Sequence, residues 1–284
     1  MATILKDLWN FVYLQTWDTG LVFINLLTPK IKKGAMYKEG QPGYNGLWPE
    51  FIPPNPETDS RSPCPGLNAM ANHGIIPRDG KNIPLPFLAK ALEKTWNLGA
   101  PFCRDTCYSV RKFYKKDTLD LSDLTKHNII EHDSSLLRSD TFFAPDQTIP
   151  DKQLIERLLG SATGPATPEH PEGQVTPKDL GKALSLRFAE SRRDNPEFSL
   201  KLLHAVFGYI NATVFYEIFG GDVKTSRIIL GEERIPDGYE PFMRSRKGLT
   251  LKKQYFRSAY IRFHTNTKLK LENNEMANEA DTQN

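Results

Sequence analysis

The sequence is poor in cysteine, in charge of one sign and in unbroken apolar runs, and each scarcity excludes something. Three cysteines in 284 residues, Cys64, Cys103 and Cys107, are too few and too odd in number for a disulfide framework. Cys103 and Cys107 stand four apart with no neighbouring ligand residues, so they read as packing side chains. A net charge of +3 with both signs interspersed lacks the electrostatic footprint of a nucleic-acid surface, and no nucleic-acid partner is expected. The apolar stretch at residues 8–27 is interrupted by Asn10, Gln15, Asp18 and Asn25. It lacks the basic start and small-residue cleavage site of a signal peptide, and a carboxylate at its middle argues against a membrane span. An intracellular protein, cytoplasmic or peripheral to a membrane, is therefore expected.

What is present is enough for a globular core: 39% hydrophobic and 25% charged residues. Residues 1–34 read as an N-terminal apolar helical segment. Trp9, Tyr13 and Trp17, followed by Lys30, Lys32 and Lys33, make it a candidate membrane-surface anchor, against the plainer reading of a helix and strap packed on the domain. Residues 34–62 are rich in Gly, Pro and Asn and read as an extended surface segment. Beyond them the apolar spacing is mostly helical, which predicts a mostly α, single-domain fold over residues 35–265. Helices are expected at 82–97, at 106–116, after the Thr176 cap with Pro177 at the first position, at 199–219 ending on Gly220 and Gly221, and as a closing helix after the turn at Arg234. Residues 161–175 read as a loop. The tail, 266–284, is polar and expected to be disordered.

Two short runs carry the chemistry. In the first, Cys64 lies between Pro63 and Pro65 at the start of a helical pattern. Proline suits the first helical position. The free amides there, those of Gly66 and Leu67, and the helix dipole favour an anion, so this placement favours a thiolate. In the second, Glu131, His132, Asp133 and Ser135 bring two carboxylates, an imidazole and a hydroxyl into five residues. One helical turn separates Glu131 from Ser135, a spacing that lets both oxygens meet one hard cation, while Asp133 is placed to orient His132.

Together the runs resemble the fungal haem-thiolate peroxidase family, which includes chloroperoxidase and the unspecific peroxygenases. The resemblance rests on Pro63-Cys64-Pro65, the Asn68 to Gly74 run and Pro77-Arg78-Asp79-Gly80. It continues through Glu131-His132-Asp133 with Ser135, Arg138-Ser139-Asp140-Thr141-Phe142-Phe143, Asn195 to Leu200, and Glu233-Arg234-Ile235-Pro236. Motif order and spacing agree over roughly residues 60–245, and the short branch of the family is the nearer match. The resemblance implies haem b with Cys64 as the axial ligand to iron, in a setting made by Pro63, Pro65, Gly66 and Leu67. It implies a magnesium-like divalent cation held by Glu131, the His132 carbonyl and Ser135, and a distal His132 oriented by Asp133.

One position departs from the family pattern. A distal glutamate serves the family as general acid-base for peroxide; counting back from Phe219-Gly220, that position is Asn211, which cannot move this proton. Glu217 is turned away from it on a helix. Ile130, Phe207 and Val214 are expected to floor an apolar substrate pocket. The resemblance implies a peroxidase or peroxygenase that uses a peroxide to oxidise or oxygenate an apolar small molecule or fatty-acid derivative. The alternatives are a lyase or isomerase rearranging a fatty-acid hydroperoxide, and an inactive haem-binding module.

Overall fold

In a computed structural model, residues 2–271 are described; the greater part of the expected polar tail lies outside the described residues. The architecture is a packed set of α-helices with one two-stranded sheet, as the helical apolar spacing predicts. In chain order the helices are α1 (Ala2–Leu27), α2 (Pro65–Asn72), α3 (Leu85–Trp96), α4 (Ala100–Tyr114), α5 (Lys152–Gly160), α6 (Pro177–Asp194), α7 (Leu202–Phe219), α8 (Val223–Glu232) and α9 (Leu251–Phe263). Strands β1 (Ile83–Pro84) and β2 (Thr118–Leu119) pair antiparallel, with Ile83 opposite Leu119.

Local chemistry sets the helix ends. Thr176 and Asp179 form a reciprocal capping box at the start of α6, and Pro177 fills its first position. Gly220, at φ 66, closes α7 in the left-handed region. Two helices, α5 and α8, were not evident in the apolar spacing; each begins at an aspartate cap, Asp151 and Asp222. The closing helix also begins later than expected. The turn at Arg234 leads into an irregular stretch, and α9 starts only at Leu251 behind its Thr250 cap.

Helix α3 packs along α4, α7 along α9, and α6 against both α7 and α9, while α2 lies on α8. Phe188, Leu184, Leu180, Ile218 and Met70 are among the most deeply buried side chains. Helix α7 has the length and apolar composition to cross a bilayer, but half of it is inside the protein and one face lines the central cavity. Helix α1 rests on α4 and α9. Asp18, the break in its apolar run, is fully buried and accepts the amides of Leu251 (2.7 Å) and Lys252 (3.0 Å) at the start of α9.

Candidate active site

Cys64 is the N-cap of α2, in extended backbone (φ −89°, ψ 107°), with Pro65 as the first helical residue. The amides of Leu67 and Gly66 donate to its sulfur. The side chain is accessible only because it faces a cavity; protein encloses it elsewhere. Burial is the largest influence and pushes the thiol up, while the two amides and then Arg138 pull it back. The helix-start amides that favour a thiolate thus work against the cost of burying its charge.

Three parts of the chain that carry this site are tied together by the residues that bore the resemblance. Asn68 accepts the Ser62 amide (2.9 Å) and donates to the Ser62 carbonyl (2.7 Å), which fixes the loop leading into Cys64. Asn68 also donates to Glu233 Oε1 (2.8 Å), and the same oxygen accepts Arg138 Nη2 (3.0 Å). Asp140 accepts from the Ser134 amide, Arg187 Nη2, Ser191 Oγ and Asn195 Nδ2 at 2.9–3.1 Å. The Pro-Arg-Asp-Gly turn clamps the same loop from the other side. Arg78 donates to the carbonyls of Asn72 (2.6 Å) and Glu50 (3.0 Å), and the Ser60 amide donates to the Asp79 carbonyl (2.7 Å). Gly80 is obligatory there: its φ is +66°, and a Cβ would lie 2.1 Å from the Ser60 carbonyl oxygen.

The cavity in front of Cys64 has a volume of about 230 Å³. Pro63, Pro65, Gly66 and Leu67 form one part of its wall, and Gly208, Asn211, Val214, Phe215, Ile218 and Phe219 of α7 form another. Ile130, Glu131, His132, Ser134 and Ser135 close it from the loop before α5. Of the expected pocket residues, Ile130 and Val214 line this space. Phe207 does not: it turns to α4 and meets Phe113 edge-on at 6.2 Å. Gly208, one residue on, takes the place facing the cavity. Asn211 faces it as expected, whereas Glu217 is directed to Lys253 and Arg257 of α9, both at 2.8 Å.

The Glu131–Ser135 stretch is not helical. It is irregular, with Ser134 at φ 65°, so the one-turn spacing expected for it does not apply. Glu131 Oε2 meets His127 Nδ1 (2.7 Å) and Thr141 Oγ1 (3.3 Å), while its Oε1 is buried without a hydrogen-bond partner, as is Ser134 Oγ. Burial pushes the Glu131 carboxyl above its usual range, against the pull of His127. Among the described residues no group of three His, Cys, Asp or Glu side chains comes to metal-binding distance.

His132 is buried, and its Nδ1 donates to the backbone carbonyl of Asp133 at 2.7 Å. The carboxylate of Asp133 does not perform that task. Its Oδ2 accepts the Ser199 amide (2.9 Å) ahead of α7. A carbonyl can only accept, so Nδ1 carries the proton and Nε2 is left as the basic nitrogen. Burial lowers the His132 pKa, which keeps the ring neutral. His204 of α7, which carries no motif in the sequence, stacks on His132 with ring centroids 6.3 Å apart and planes 12° from parallel. Cys64, Glu131 and His132 are the only ionisable side chains on the cavity wall among the described residues, and none of the wall is cationic.

Comparison with known proteins adds to this geometry. The chain is 29% identical over 177 residues to the aromatic peroxidase fscJ of Fusarium equiseti, covering 52% of this chain and 39% of that protein. It is 37% identical over 109 residues to a chloroperoxidase of Leptoxyphium fumago, covering 36% and 29% respectively. It is 24% identical over 208 residues to an aromatic peroxygenase of Cyclocybe aegerita, covering 64% and 54%. The match thus spans about half or less of the length of each of these relatives. The sequence model described as "Peroxidase, family 2" matches residues 49–244, the stretch that holds Cys64, the cavity and every residue tying them together. The chain therefore belongs to peroxidase family 2, the haem-thiolate peroxidases.

Proposed function

We propose that this protein is a haem-thiolate peroxidase or peroxygenase that uses a peroxide to oxidise or oxygenate an apolar organic molecule. One observation carries the reading: the sulfur of Cys64, backed by two helix-start amides, faces an apolar cavity. A soft sulfur donor in an apolar pocket fits haem b, which Cys64 would hold through its sulfur, within the wall of Pro63, Pro65, Gly66 and Leu67. When bound, haem supplies the peroxide and oxygen chemistry. The protein supplies the rest. His132 Nε2 takes the peroxide proton and returns it. The Asp133 carbonyl fixes the tautomer that makes this the free nitrogen. The apolar wall excludes water and accepts a neutral substrate. A magnesium-like hard cation would be held by oxygens of Glu131, whose Oε1 is unpartnered, Ser135 and the His132 carbonyl. Two relatives are named for aromatic chemistry, and Trp96, Phe215 and Phe219 stand on the cavity wall, so aromatic compounds form the first substrate panel.

The test is the visible spectrum of the haem-supplied protein, reduced under carbon monoxide. Thiolate ligation gives a strongly red-shifted band, which Cys64→Ala removes. Absence of haem binding in the native protein overturns the proposal and favours an inactive module. Asn211 favours a second reading, a lyase or isomerase acting on a fatty-acid hydroperoxide, because a neutral carboxamide orients a peroxide oxygen but moves no proton. Asn211→Glu separates the two. A rise of roughly a hundredfold or more in hydrogen-peroxide turnover, the usual worth of a placed acid-base, supports the first. An unchanged rate, with a lipid hydroperoxide consumed without added reductant, supports the second.

A further inference from the structure

The chemistry above leaves α1 unused. Three of its four polar interruptions turn inward: Asp18 caps α9, Gln15 meets Tyr255 and Lys252, and Asn25 accepts the Lys247 amide and donates to the Gly248 carbonyl. Leu5, Leu8, Trp9, Val12, Phe23 and Leu27 recur at helical spacing on the opposite face, and all are exposed, Trp9 to 73% and Leu27 to 83%. The hydroxyls among them are already satisfied, Thr16 by the Val12 carbonyl (2.9 Å) and Thr19 by that of Gln15 (2.7 Å). That face therefore enters an apolar medium without stranding a polar group.

Charge is sorted in the same way. Residues 5–33 contain two acids. Asp18 is buried, and Asp7 is held by Tyr108 and Lys112 of α4. The four lysines of the segment, Lys6, Lys30, Lys32 and Lys33, are all exposed. The outward surface is thus apolar along its middle and basic at both ends. A second copy of the chain would bring lysine against lysine, with neither acid of residues 5–33 free to meet them.

We infer that the outer face of α1 docks the protein on an anionic lipid bilayer. Held along its length by α4 and α9, the helix lies in the plane of the interface. Its leucines, Trp9 and Phe23 enter the boundary between headgroups and acyl chains, and the lysines meet lipid phosphates. Tyr255 and Phe256 of α9, both exposed beside the Gln15 contact, widen the surface. The full chain tests this by co-sedimentation with vesicles of phosphatidylcholine alone and with phosphatidylserine added. Binding is expected to the anionic vesicles, weaker at high salt. Each lysine neutralised in Lys30→Gln/Lys32→Gln/Lys33→Gln should weaken it by about fivefold, and Trp9→Glu/Phe23→Glu should abolish it. Both sets are exposed, and unchanged melting curves verify that each variant is folded. Failure of the native chain to bind anionic vesicles overturns the inference, as does binding by either variant as tight as that of the native chain. Concentration-dependent dimerisation lost in Trp9→Glu/Phe23→Glu, without vesicle binding, also overturns it and assigns the face to a second copy.

Discussion

Arg138 is almost wholly buried, and its guanidinium divides between Glu233 and the carbonyls of Gln147 and Leu137. Glu233 in turn holds Asn68. Removing one partner of a buried ion pair strands the other's charge and costs about 3–5 kcal/mol. Arg138→Met should therefore lower the urea unfolding free energy by that order. Glu233→Gln keeps an acceptor for Asn68 but strands the buried Arg138 charge, so its loss should be of the same order, and the double variant should lose less than the sum of the two. A double variant whose loss equals that sum would show that the pair is not what matters. Cys64 and the proline on either side announce their chemistry in sequence, because a thiol at a helix start is a local arrangement. The roles of Arg138, Asp140 and Asn195 are not legible that way, since their partners lie 47–95 residues distant. His204 is invisible for the same reason: only the fold brings it against His132.

At the scale of elements, caps and turns decide where the chain stops. The start of α9 is capped twice, by Thr250 within the helix and by Asp18 from α1. Asp18→Ala removes the acceptor of two amides in a buried place, and losing a cap costs about 1–2 kcal/mol. A lowered melting temperature is expected, with the same helical circular dichroism at low temperature. The Gly80 turn concerns the site instead. Gly80→Ala puts a Cβ into the Ser60 carbonyl, so the Ser60–Cys64 loop must shift. Haem titration should show weaker binding in this variant than in an Ala substitution at Gly231, where a Cβ meets nothing within 4 Å. Capping residues made the start of α6 readable from sequence, and among the polar breaks of α1, Gln15, Asp18 and Asn25 meet α9 and the 247–248 turn. The course of residues 131–135 was not readable, because the left-handed Ser134 interrupts a run whose composition alone suits a helix.

Across the whole molecule the response to acid follows from buried histidines. His73 donates from Nδ1 to the Pro49 carbonyl and accepts the Ile235 amide at Nε2 (3.0 Å). The ring is thus held neutral between α2 and the stretch after α8. Burial, the largest influence, lowers its pKa below the ordinary value of 6.5. His132 and His204 are lowered for the same reason. A folded state that refuses a proton the unfolded chain accepts is penalised as pH falls. The stability these rings contribute is complete above about 6.5 and is lost progressively below it, toward their depressed folded values. The raised carboxyl of Glu131 acts in the opposite sense, since its stabilising contribution is complete only below the ordinary carboxyl range and fades as pH rises through it. The histidine effect is therefore cleanest between pH 7.5 and 6. Urea midpoints should fall across that interval without a change in m. His73→Gln replaces the ring with one donor and one acceptor that cannot take up a proton, so it should flatten the slope while costing some stability at pH 7.5. A native profile that is level, or a His73→Gln profile as steep as the native one, would assign the acid response to groups other than this clamp.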